Sequence, residues 1–408
     1  MPDEGRASTR RCVLHIGMNK TGSSSIQATG REHAEVLRDR FDLDYYTGLR
    51  QHSLLAGLFM DDPTRYAAVC RQVGADDQLV ARWRSAELER LEAAIDASRH
   101  GCFVISGEGL STMGIEEVRR MAAFLTPRFD RVEVYMYLRE PFAYARSKAQ
   151  QNIKSGVTFA QMRRANLDEP VAAPREPDGQ FSPAIQPFYR QRIEPALQHY
   201  GVDNVHLRQF DPALFPDGDV VLDFFDWIGA FDLGSAGVAP CRINESIDDR
   251  SLRLIEAANR TAPPFHGRHR NSNRSRSLTS LLAVNDGSSF GFPDFNTQRF
   301  AEVIRSDVMW LADTTAGRFE YSLDPPPVWE AEPDRSPPER AAQRLNRRLL
   351  QAERDRISAR VLDLLLAADA AEADERAALL DQLEVETGAI VSKELRSRVL
   401  AWLGANRA

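Results

Sequence analysis

The chain has 408 residues, 43% hydrophobic and 27% charged, with a formal net charge of -7. That length allows two or three folding units around a sizeable core, and the composition excludes a disordered or fibrous chain. The acidic balance argues against a general nucleic-acid binder but leaves room for a local basic groove around an anionic ligand. No apolar run follows the charged start MPDEGRASTRR, so neither a signal peptide nor a membrane anchor is expected. Cys12, Cys70, Cys102 and Cys241 form no C-x-x-C pair, which points away from zinc and disulfides and toward a reducing cytoplasm.

In chain order, short β-rich runs alternate with helical stretches, the pattern of an α/β domain whose parallel sheet carries helices on both faces. The apolar run Cys12–Gly17 reads as a buried strand, and residues 23–40 as a helix with a serine-rich first turn. A strand near Asp42–Tyr46 leads into a helical section. There, Leu79, Val80, Trp83, Leu88, Leu91 and Ile95 give Asp77–Arg99 an amphipathic spacing. Strands are expected at Cys102–Gly107 and Val132–Leu138, with a helix at Ile115–Leu125 between them. Arg139-Glu140-Pro141 opens a helix to about Lys154, because proline suits a first helical turn. After a polar insertion at Leu167–Pro183, the alternation continues as helix Ala184–Tyr200, strand Asn204–Gln209 and helix Val220–Ile228.

Beyond Gly229, residues 243–260 look helical, Pro263–Ser277 is a basic, arginine-rich loop, and a further helix lies around Thr297–Thr314. The proline-rich stretch Asp324–Arg340 reads as a linker. Leu345, Leu349, Ile357, Val361 and Leu365 then form one apolar stripe in a helical tail. The expected division is a flexible start over 1–10, one α/β domain over 11–323, a linker over 324–340 and a helical extension over 341–408.

The chemistry centres on VLHIGMNKTGSSSIQ. Gly17 and Gly22 have the spacing of a phosphate-binding G-x-x-x-x-G loop, whose glycines let successive backbone N–H groups face phosphate oxygens. Ser23 and Ser24 stand where a nucleotide triphosphatase has its lysine and hydroxyl, and Lys20 lies inside the loop instead. A strand, a glycine loop and a helix start make an anion site, because backbone donors and the positive end of the helix dipole converge there. A magnesium-dependent kinase needs the hydroxyl after the lysine and an aspartate ending a second strand. Here the later strands run into Glu108 and Arg139. Such a kinase stands as one alternative, and a catalytically silent donor-binding or interaction protein as another.

These residues resemble the P-loop sulfotransferases, which use 3′-phosphoadenosine-5′-phosphosulfate (PAPS). HIGMNKTGSSSIQ is similar to the family's 5′-phosphosulfate loop, with its K-T-G-[ST]-[ST] run after the first strand. YLREPFAYARS is similar to its 3′-phosphate motif, in which a strand-terminal arginine precedes a serine by eight residues, here Arg139 and Ser147. QQNIKSG, FDPALFPDGDVVLDFFDWIG and INESI also resemble bacterial members. The resemblance spans roughly residues 11–320 and leaves the C-terminal helices outside. The late G-x-x-G-x-x-[KR] segment of the family is not recognisable here, and the basic loop Arg268–Arg276 is the candidate to replace it.

The resemblance implies that Lys20 stabilises the bridging oxygen as the sulfuryl group departs, with no metal required. Backbone and hydroxyl groups of Thr21, Gly22, Ser23, Ser24 and Ser25 would hold the 5′-phosphate, and Arg139 with Ser147 the 3′-phosphate. Glu108, after the strand CFVIS, is the expected general base, and His52 in LRQHSLL is the second candidate. Arg146 is expected to be solvated, His15 to be a core residue, and His266 and His269 lack the companions of a metal site. The acceptor would be a hydroxyl or amine on a small molecule, glycan or lipid head group. Thr47–Met60, Leu167–Pro183 and the basic loop are expected to face it, and the C-terminal helices offer an oligomer or partner surface.

Overall fold

The computed structural model describes residues 9–325 apart from 50–51, 75, 174–181, 244–248, 267–268, 276–277, 280–289 and 293–294, with a few helical positions between 343 and 349. The expected linker and helical extension therefore lie almost entirely outside the described residues.

Five strands, β1 (Arg11–Gly17), β2 (Leu43–Tyr45), β3 (Cys102–Ser106), β4 (Arg131–Leu138) and β5 (Val205–Gln209), form one parallel sheet in the order β2-β3-β1-β4-β5. β1, β3 and β4 are mostly apolar and buried at nearly every position because both sheet faces are covered. Cys12, Leu14 and Ile16 face one core with Phe103, Ile105, Val134 and Met136. Val13 faces the other with Val104, Tyr135 and Tyr137. The helices α1 (Ser23–Glu32), α2 (Ala34–Phe41) and α9 (Val220–Trp227) supply Ile26, Leu37 and Phe224 to the second core. The first core takes residues from α3 (Ala67–Gln72), α4 (Asp77–Ala97), α5 (Ile115–Leu125), α6 (Pro141–Lys154), α7 (Phe159–Arg163), α8 (Tyr189–Tyr200), α10 (Asp249–Thr261) and α11 (Thr297–Thr314). The fold is α/β with helices on both faces, as expected.

The connection from β1 leads toward β2, and that from β4 leads to β5 on the opposite side. The order therefore reverses between β1 and β4, and the crevice for a ligand opens at the carboxyl ends of these strands.

Several expected elements change under tertiary contacts. The helix after β1 breaks at His33 into α1 and α2, just past Gly30, whose bare Cα packs against the Tyr45 ring of β2. The helix expected from Ala184 begins instead at Tyr189. Asp307 of α11 accepts hydrogen bonds from the N–H groups of Tyr189 (2.7 Å) and Arg190 (2.8 Å), so a cap from 118 residues away fixes the start. Leu167 belongs to a π-helical turn that extends α7 rather than to a polar insertion. The basic loop contains a two-strand antiparallel hairpin, β6 (Phe265–His266) with β7 (His269–Arg270). Arg274 beyond it is buried and donates to Ala262 O (3.1 Å) and Asn259 Oδ1 (3.2 Å), which makes it a brace within the fold. The partners Arg268 and Arg276 of the suggested clamp lie outside the described residues. Among the described residues, no helix is long and apolar enough to cross a membrane.

Candidate active site

The loop between β1 and α1 carries three positive φ angles in six residues: Gly17 (105°), Lys20 (69°) and Gly22 (76°). The two glycines reach that region without steric cost. They are also small by necessity, since a Cβ on Gly22 would collide with Val220, and one on Gly17 would lie 3.3 Å from the Cα of Glu108. Lys20 has to accept the left-handed conformation, and Arg139 holds it there by donating from Nη1 to the Lys20 carbonyl at 2.7 Å. Two hydroxyls close the loop from inside. Thr21 Oγ1 (2.5 Å) and Ser23 Oγ (3.1 Å) both donate to the Met18 carbonyl. The amides of Ser23 and Ser24, in the first turn of α1, have no carbonyl four residues earlier within the helix to bond.

Next to this loop, α6 begins immediately after β4 because Glu140 caps it, accepting from the N–H groups of Phe142 (2.9 Å) and Ala143 (2.6 Å), with Pro141 in the first turn. Arg139 is thereby fixed at the strand end, its guanidinium 5.3 Å from the Phe210 ring centre. On the other side of β1, the chain leaves β3 through Gly107 into a short 3-10 turn, Glu108–Thr112.

The three strand ends enclose a cavity of about 610 Å³, the size of a nucleotide or small-molecule site. Lys20, Gly22, Ser23, Ser24, Glu108, Arg139 and Ser147 line it, so most of the residues singled out in the sequence meet in one place. Thr21 and Ser25 do not line it: Thr21 is fully buried, and Ser25 Oγ accepts from Ile243 N at 3.1 Å. His52 is also absent from the wall. Its ring is buried, with Nδ1 donating to the Ser106 carbonyl at 2.8 Å, while its neighbour Ser53 reaches the cavity. The second base candidate is therefore set back from the cavity, packed in the core. His15 is a core residue as expected, fully buried with Nδ1 2.8 Å from Ser106 Oγ.

Three cavity cations were missed in the sequence: Arg71 on α3, Lys148 on α6 and Arg192 on α8. Among the described residues of the wall, these three with Lys20 and Arg139 face one acidic side chain, Glu108. A signal for Lys148 was present, since Ser147, Gln151 and Ser155 recur at helical spacing and put a polar stripe beside it. Nothing local marks Arg192.

The charges act on one another in a poorly solvated space. Burial pushes the Glu108 carboxyl up from its ordinary range, with Lys20, Lys148 and Arg192 pulling it back. Burial lowers the Lys20 ammonium, and Glu108 opposes that shift. Lys148 is drawn down to about 8 by burial and by Arg192, with Glu108 opposing. The arrangement can therefore bind a polyanion, offer a carboxylate as proton acceptor and hold an ammonium beside it.

The two buried histidines give a prediction for stability. Burial lowers His15 to about 3 and His52 to about 4, so both are neutral in the folded protein at neutral pH. The unfolded chain takes up protons near the ordinary 6.5 and is favoured below it. The stability is whole above about pH 6.5 and is lost as pH falls toward the folded values, by about 2 kcal/mol per histidine at pH 5. Urea unfolding should show a lower midpoint at pH 5 than at pH 7, and equal midpoints would contradict this.

No protein-family model and no curated protein matches the chain. Among solved structures, the crystal structure of a sulfotransferase from Alicyclobacillus acidocaldarius is similar at 13% identity and a TM-score of 0.36, over 61% of this chain and 90% of that one. This is a distant likeness, and nothing about the site rests on it.

Proposed function

We propose that the protein is a sulfotransferase that moves a sulfuryl group from PAPS to a hydroxyl or amine acceptor. The observation that carries this reading is the meeting of the Gly17–Gly22 loop, Arg139 and Glu108 around one strongly cationic cavity. The residues fit the donor. Its two phosphate-bearing ends need separate sets of cations, and Lys20 in the loop and Arg139 with Ser147 on the β4–α6 side supply them. Phe210 and Ile243 add apolar surface at the cavity wall, suited to a base ring.

When bound, PAPS supplies an activated sulfur whose bond to the 5′-phosphate oxygen breaks as the acceptor atom bonds to it. The chain's own residues do the rest. Backbone N–H groups of the loop and the first turn of α1 orient the 5′-phosphate. Lys20 meets the negative charge that grows on the departing phosphate oxygen. Glu108 takes the acceptor proton, and the carboxyl raised by burial is a better base than an exposed one. Of the sequence-derived phosphate ligands, Thr21 and Ser23 act through the loop's shape and its amides, since their hydroxyl protons already serve the Met18 carbonyl, and Ser25 stands off the cavity wall with its hydroxyl accepting from Ile243 N.

The test is calorimetric titration with the donor product, adenosine 3′,5′-bisphosphate, followed by assay with labelled PAPS. Arg139→Ala should weaken bisphosphate binding about tenfold to a hundredfold, the worth of a charged hydrogen bond of roughly 1.5–3 kcal/mol. Absence of binding to the unaltered protein, or unchanged affinity in Arg139→Ala, would remove the reading.

A further inference from the structure

Arg192 lies in the first turn of α8 and is 4% exposed. A buried guanidinium is costly unless its donors are satisfied. Its Nε donates to Pro187 O (2.7 Å), its Nη1 to Ser111 Oγ (2.8 Å) and its Nη2 to Tyr144 OH (3.1 Å). Each hydroxyl then passes its own proton outward. Tyr144 OH donates to Asn19 Oδ1 at 2.8 Å, and Ser111 Oγ donates to the Glu108 carbonyl at 3.0 Å.

The direction of this chain is forced. Arginine carries donors and no acceptor, so both hydroxyls must accept from Arg192 and spend their single protons on the far side. One end of the chain grips Asn19, next to Lys20 in the glycine loop. The other grips the backbone of Glu108 itself. Tyr144 and Ser111 are both buried and neither lines the cavity, so the two hydroxyl links lie behind the wall that Arg192, Asn19 and Glu108 help to form.

We infer that Arg192 is a positioning residue: through Tyr144 and Ser111 it locks the glycine loop and Glu108 at one fixed separation. Its charge shares the cavity with Glu108 and favours the ionised carboxyl. The inference rests on the assignment of Glu108 as base and Lys20 as the leaving-group partner. Two arms that do not touch the cavity test the bridge. Ser111→Ala and Tyr144→Phe each delete one hydroxyl, and each should lower the slow transfer from PAPS to water by about tenfold or more. Misplacement of reacting groups by about 1 Å can cost about 10²-fold. Because both act through one arginine, the double variant should lose no more than about the worse single variant.

Arg192 itself separates charge from geometry. Infrared titration of the Glu108 carboxyl, identified by its loss in Glu108→Gln, should move upward in Arg192→Met and stay in place in Arg192→Lys, which keeps the charge. Both variants should lose the transfer rate while adenosine 3′,5′-bisphosphate affinity stays within about twofold. A tenfold loss of that affinity would make Arg192 a donor ligand and overturn the inference, as would rate losses in Ser111→Ala and Tyr144→Phe that simply multiply. The carboxyl titration needs no turnover. A protein that binds no bisphosphate would sink the sulfotransferase reading yet still report whether Arg192 governs Glu108. Should Arg192→Met fail to fold, Arg192→Lys and the two hydroxyl deletions carry the same decision.

Discussion

Lys20→Ala should lower the rate of sulfuryl transfer by about 10²–10³ with donor-product affinity reduced much less, the pattern of a donor aimed at charge that develops only in the transition state. The reason lies in the backbone. Lys20 sits at φ 69°, held by Arg139 through its carbonyl, and its side chain enters a cavity shared with Glu108. In the ground state that ammonium is one of several cations, and its loss is buffered by Arg139 and Lys148. In the transition state no neighbour on the loop replaces it. Steady-state kinetics with labelled PAPS, read against calorimetry with adenosine 3′,5′-bisphosphate, separate the two effects. A variant that loses affinity and rate in equal measure would show Lys20 to be a ground-state phosphate ligand instead.

Glu108→Gln should cost about 10²–10⁴ in rate, the usual worth of a positioned proton acceptor, and should also change the shape of the pH profile. Burial raises the Glu108 carboxyl, so the unaltered enzyme should lose activity as pH falls through that raised value, at a higher pH than an exposed glutamate would give. On the alkaline side, Lys148 loses its charge near 8, and Glu108 loses a supporting cation. The expected profile is a bell. Replacing Glu108 by glutamine should flatten its acid limb and leave the alkaline limb in place. An acid limb that survives the substitution would assign it to another group.

Much of this was legible in the sequence because the groups concerned sit at the ends of elements that announce themselves. β1, β3 and β4 are mostly apolar runs, and each is followed within three residues by one that lines the cavity: Lys20 after β1, Glu108 after β3, Arg139 after β4. Pro141 after Glu140 marked the start of α6 correctly for the same reason, since the cap is local. What escaped was settled by distant partners. Tyr189 opens α8 because Asp307 caps it, and Arg192 is turned inward by Ser111 and Tyr144, 81 and 48 residues away. His52 shows the reverse case. Its residue type suggested chemistry, but the Ser106 carbonyl and the surrounding core claimed it.

The strand order has one more consequence. β3, β1 and β4 are consecutive neighbours, in fixed register through Val13↔Val104 and Val13↔Glu133. Adjacent strands lie about 4.8 Å apart, so the backbone ladder spaces the three strand ends that lead to Glu108, Lys20 and Arg139 across roughly 10 Å. The connecting segments contribute nothing to the spacing of the strand ends themselves; the glycine loop and the Arg192 bridge then place the side chains. The chain between these strands can thus be lengthened, shortened or rebuilt for a different acceptor while the three strand ends keep their distances, much as the jaws of a vice keep theirs whatever is placed on the bench around them.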